Sequence, residues 1–217
     1  MGIYFDEEKK IFKLDTENTS YLIGLTGEGY VGHIYYGKKL LRTGGRYLLR
    51  TEKSPSVLKR EKSSFLDTFP MEYPTCGVGD YRESCLDVMN PMGQTGCEFF
   101  YRSHEVIEGK PALKGLPASF GKAGETETLF IHCEDPVLGL WVTLSYSVFM
   151  KEDVITRSVK IENKSTSTLV LDKVYSACLD MDNRDFEMVS LAGSWGRERR
   201  IQRSALSYGR KNMSSVR

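Results

Sequence analysis

The chain is short of the residues from which reactive centres are most often built. Among its 217 residues are three histidines, two tryptophans and five cysteines. His33, His104 and His132 lie far apart without ligand spacing, and His132-Cys133 on a strand would point to opposite faces, so no metal site is expected. Cys76, Cys85, Cys97, Cys133 and Cys178 make an odd, irregular set with no CxxC pair, which argues against a disulfide framework. Excess charge is missing too. Thirty basic residues against 29 acidic ones leave +1, so nothing in the overall balance draws the chain to nucleic acid or an anionic membrane. No apolar run approaches the ~18 residues of a membrane span. The opening residues carry acids where a secretory signal needs a basic head, and a soluble, cytoplasmic protein is expected. There is no G-x-S-x-G elbow, phosphate-binding glycine loop or H-E-x-x-H motif, and no cofactor is implied.

What the chain does have is strand after strand. With 40% hydrophobic residues it can bury one substantial core. Short aromatic and β-branched segments at 3–5, 11–14, 20–25 and 30–36 are separated by polar turn residues and predict antiparallel strands. Further strands are expected at Cys85–Met89 and Cys97–Val106. The clearest are Thr126–Cys133, Leu138–Phe149, Val154–Asn163 and Leu169–Leu179, and Phe186–Leu191 and Arg199–Leu206 follow. Strands at spacings of roughly a dozen residues with no helical period between them point to an all-β fold, a large antiparallel β-sandwich over residues 1–217.

Three connections stand out. Leu40–Asp67 has no periodicity and reads as a long surface loop. Phe69-Pro-Met-Glu-Tyr-Pro74 is extended before each proline, and Gly77-Val-Gly79 turns the chain into Asp80-Tyr-Arg82, a rigid, polar-tipped turn. Gly109–Pro117, with two prolines and two glycines, predicts a fixed extended link. Within Val154–Ile161 the alternation places Arg157 on one face with Ile155, Val159 and Ile161. An arginine there requires an acidic partner, for which Asp180, Asp182 and Asp185 are candidates. The same three aspartates are the nearest thing to a glycosidase carboxylate pair, but their run reads better as an acidic turn.

Leu191-Ala-Gly-Ser-Trp-Gly-Arg-Glu-Arg199 sets one indole between glycines. Trp195 is either a core or inter-domain anchor, or a flat apolar surface offered to a ligand such as a sugar. This stretch, with Gly29–Gly37, Asp67–Pro74, Gly79–Arg82, Gly109–Ala118 and Asp153–Ser158 in that order, resembles the amino-terminal β-domain of glycoside hydrolase family 36 α-galactosidases. The resemblance implies a β-supersandwich that precedes a (β/α)₈ barrel carrying two catalytic aspartates outside this chain. It implies a retaining enzyme, commonly a homotetramer, acting on galactose-containing oligosaccharides of the raffinose or melibiose type. It further implies that Trp195 is the indole this domain lends to the galactose pocket. A long loop that in the family carries an Asp-Arg pair matches the segment with Glu52-Lys53 and Lys62, where Glu and Lys keep the charges but lose the arginine fork. Glu52 and Lys62 thus join Trp195 as expected substrate-binding residues, with no catalytic residue in the chain. The alternative is a free-standing carbohydrate-binding or oligomerisation module.

Overall fold

The computed structural model describes residues 2–51, 65–77, 83–115, 118–181 and 184–214. They fall into two compact units, Met1–Asp180 and Met181–Arg217.

The first unit is built from antiparallel sheets. β1 (Ile3–Asp6), β2 (Ile11–Asp15), β3 (Thr19–Leu25) and β4 (Val31–Lys38) form one meander. β6 (Phe100–Glu108), β7 (Thr126–Asp135), β8 (Leu140–Phe149) and β9 (Val154–Asn163) form another, and β5 (Leu86–Met89) pairs with β10 (Val170–Val174). The predicted strands are found, with β10 shorter than its sequence pattern suggested. Alternation explains the second meander. Leu129, Ile131 and Cys133 of β7 and Leu140, Val142, Leu144, Tyr146 and Val148 of β8 turn inward, fully buried, while the residues between them turn out. They meet Ile3, Phe12, Leu14, Tyr21, Ile23 and Leu25 of the first meander in the main core, which is the expected sandwich. Asp153, in the β8–β9 turn with φ 53°, clamps the two sheets at one end. Its carboxylate accepts from the Thr16 hydroxyl at 2.7 Å, the Asn18 backbone N–H at 2.8 Å and the Asn18 amide at 2.7 Å.

The first meander is buried on both faces, and a few residues from the two ends of the Leu40–Asp67 connection supply part of the cover, while Leu41 and Tyr47 are exposed as on a surface loop and residues 52–64 lie outside the described residues. Leu49, Phe65 and Leu66 are buried with Phe69 and Met71 against Ile11, Leu22 and Ile34, a second core on the outer side of the sheet. A register shift between Leu22 and Ile23 makes room for it: Leu22 faces Tyr35 while Ile23 faces His33, so Ile34 and Tyr35 both serve the outer core. Residues 69–73 are also core, with Phe69, Met71, Glu72 and Tyr73 buried, while the polar-tipped turn expected at Gly77–Arg82 falls largely outside the described residues. His33 donates its backbone N–H to Pro70 at 2.7 Å and Glu72 donates its own to Val31 at 3.0 Å, so the segment is held antiparallel against β4 through a single bridge at Gly32–Met71.

Gly32 is where that segment comes closest. A Cβ there would lie 2.6 Å from both Leu49 Cδ2 and Phe69 Cζ, and the Phe69 ring, 2% exposed, cannot swing away. Gly32→Ala is therefore expected to cost about 1–2 kcal/mol through overpacking, read as a lower urea midpoint at unchanged slope; an unchanged midpoint contradicts this close approach.

Candidate functional site

Two arrangements invite a chemical reading, one in each unit. In the first, Arg157 of β9 points into the core as its alternation requires, and it meets the carboxylate of Glu72, an acid not among the partners suggested from sequence. Arg157 Nη2 lies 2.8 Å from Glu72 Oε1, and Nη1 donates to the Cys178 carbonyl at 2.6 Å. The hydroxyls of Tyr21 and Tyr146 each donate to the same Oε1 at 2.7 Å, and the guanidinium stacks 4.9 Å above the Tyr146 ring. His33 Nδ1 stands 3.4 Å from Oε2, close enough for attraction when the ring is protonated, although neither atom makes a well-formed hydrogen bond.

Glu72 is completely buried, and burial pushes its pKa up. The Arg157 guanidinium, then His33 and the Tyr146 hydroxyl, more than offset that and hold it below the ordinary glutamate value. Burial, with the Glu72 charge next, raises both phenols, so they remain proton donors to it. A carboxylate kept ionised and sealed from solvent cannot protonate a glycosidic oxygen, which requires a raised pKa and access. This cluster is architecture. Sequence reading missed Glu72; the available signal was an acid set among Phe69, Met71 and Tyr73, in a chain whose Arg157 needed a partner.

The second unit carries Trp195. β11 (Glu187–Ala192) pairs in unbroken antiparallel register with β12 (Arg200–Ala205), and residues 193–199 close the hairpin. Arg197 donates its N–H to the Ser194 carbonyl at 2.8 Å, and Gly196, third residue of that turn, has φ 73°, the signature of a type II turn. The Glu198 carboxylate accepts the Gly196 N–H at 2.9 Å. Gly193 admits no side chain, since a Cβ there would sit 2.6 Å from the Arg197 carbonyl oxygen. These constraints put Trp195 at the second turn position with its side chain free of the strands, and it is 97% exposed. Behind it, Val189, Leu191 and Ile201 share one face of the ribbon and are exposed as well.

Of the other expected site residues, Glu52 and Lys62 lie outside the described residues, as do Asp80, Arg82 and Asp182. Among the described residues no cluster of His, Cys, Asp and Glu could hold a metal ion, and no helix is long and apolar enough to cross a membrane.

The model of the glycosyl hydrolase family 36 N-terminal domain matches residues 29–217. The chain belongs to this family. The bifunctional α-galactosidase/sucrose kinase AgaSK of Mediterraneibacter gnavus is 34% identical over 213 residues, which are 96% of this chain and 23% of that protein. The crystal structure of the Lactobacillus brevis α-galactosidase superposes with a TM-score of 0.90 at 30% identity, covering 99% of this chain and 30% of its own. A Geobacillus stearothermophilus AgaA structure in complex with raffinose gives 0.83 at 36% identity, covering 91% and 28%. The chain therefore spans about a quarter to a third of the relatives it matches, and the match falls on their N-terminal part. The family 36 assignment made from the motifs is thereby established, as is the all-β antiparallel fold.

Proposed function

We propose that residues 1–217 are the non-catalytic N-terminal domain of a retaining α-galactosidase that removes terminal α-galactose from raffinose- or melibiose-type sugars. In this reading the bond is broken by carboxylates of a barrel domain outside the chain, Trp195 forms one wall of the galactose pocket, and Glu52 and Lys62 reach the sugar from their loop. The enzyme works as a homotetramer to which this domain contributes.

The observation that carries the proposal is Trp195 itself. An indole held 97% exposed by a turn whose glycines cannot be exchanged is poor economy for folding, since no core receives it, yet suited to stacking on the apolar face of a sugar. Within its own ribbon the ring enters no core, which supports this reading. Family membership supplies the reaction class, and the raffinose complex of AgaA supplies the substrate class. A two-stranded ribbon is marginal on its own, and the exposed Val189, Leu191 and Ile201 favour a ribbon that packs against further protein in the whole enzyme.

The chemistry is tested on the 217-residue chain alone. Its circular dichroism should be that of a folded β protein, and with an aryl α-galactoside it should release phenol no faster than a heat-denatured control. Turnover above that control by the folded chain would put the reaction inside it and overturn the assignment.

A further inference from the structure

The outer face of the second meander carries a groove of about 190 Å³ that the α-galactosidase reading does not use. One wall is made by Lys110, Pro111, Leu113, Ala118 and Ser119, which lie between β6 and β7. The two ends of this stretch are joined by the Lys110–Gly121 bridge, with Lys110 donating its N–H to the Gly121 carbonyl at 3.0 Å. The floor is the sheet itself, and strand register arranges it in two rows. Phe130, Ser145 and Ser158 are directly paired neighbours across β7, β8 and β9, and Thr128, Ser147 and Thr156 are the next row on the same face. Such rows are about 7 Å apart, comparable to the width of a pyranose with its hydroxyls.

The hydroxyls differ in what they already do. Thr128 donates to the Gly109 carbonyl at 2.7 Å and is bonded to Ser147 at 2.8 Å, which fixes that end. Ser145, Ser158, Thr156 and the loop's Ser119 line the groove and make no side-chain hydrogen bond to other described residues. They face a space beside the Phe130 ring, whose plane lies within 17° of its neighbour His132. The charged residues among its lining are Lys110 and Arg157, and the Arg157 guanidinium is engaged with Glu72. Unbonded hydroxyls that both donate and accept, next to an apolar ring and with no carboxylate, match a ligand that is itself a neutral polyol with an apolar face.

We propose that this groove binds a neutral hexopyranose unit, free or at the end of an oligosaccharide, using residues of the first unit alone. The full-length protein is titrated calorimetrically with D-glucose and, separately, D-galactose, up to about 100 mM, so that a galactose site elsewhere is told apart. One saturable site for D-glucose is expected, retained in Trp195→Ala and weakened at least tenfold in Ser145→Ala/Ser158→Ala. Neither serine side chain makes a hydrogen bond to other described residues, so the double variant should melt with the wild type. Phe130→Ala provides a second route to the same loss. No saturable glucose binding, or binding that the double variant keeps in full, overturns the proposal, and so does a groove that takes inorganic phosphate but no sugar.

Discussion

Arg157→Met should lower the stability of the domain by about 3–5 kcal/mol, far more than the loss of an ordinary surface ion pair. The reason is what it leaves behind. Glu72, with no exposed surface, would keep its negative charge in the core with two phenols and a histidine as neighbours but no permanent cation. Removing both charges together, in Glu72→Gln/Arg157→Met, should recover part of that loss, because a buried pair contributes little net stability once its desolvation is counted.

The pH dependence separates the cases. In the wild type the folded pKa of Glu72 lies below its unfolded value. Its contribution is therefore fully present above about pH 4.3 and disappears as pH falls through the lower folded value. In Arg157→Met burial dominates and the folded pKa rises above the unfolded one. The sign then reverses: the penalty is largest at neutral pH and shrinks as acid protonates Glu72. Urea midpoints from pH 7 down to pH 4 should converge for the two proteins. A variant within about 1 kcal/mol of wild type, parallel to it across that range, would show that Glu72 is neutral or that water reaches it.

Much of the fold was legible because a sheet writes its period into the chain. Leu129, Ile131 and Cys133, alternating with Phe130, His132 and Glu134, leave little choice of inward face, and the same count turned Arg157 inward before any partner was known. The partner was not legible. Glu72 lies 85 residues away in a proline-flanked segment with no period of its own, and only the bridge to β4 brings it beneath Tyr21 and Tyr146. The outer core failed to announce itself for the same reason: Leu49, Phe65 and Leu66 are isolated apolar residues in an irregular stretch, and nothing local distinguishes a plug from a solvated loop. At Trp195 the sequence left the choice between anchor and ligand surface open. What the sequence did not show was conformational, a turn with Gly196 at φ 73° and a glycine at 193 that tolerates no Cβ, which together leave the ring exposed.

The largest functional effect is predicted for that indole. In the full-length protein Trp195→Ala should weaken galactoside binding on the order of 30–100-fold, ~2–3 kcal/mol, as expected for a tryptophan that closes a binding pocket. The fold should be indifferent, since a side chain 97% exposed contributes almost nothing to the core. Trp195→Phe, which keeps a smaller ring, should fall between the two. Sugar affinity and thermal unfolding are therefore best measured on the same Trp195→Ala sample, with raffinose as ligand. Affinity lost with the melting curve unmoved is the predicted result. A protein that binds raffinose as well as wild type, or one that has lost its fold along with its affinity, contradicts the claim that this domain's role is to bring one exposed ring to a sugar.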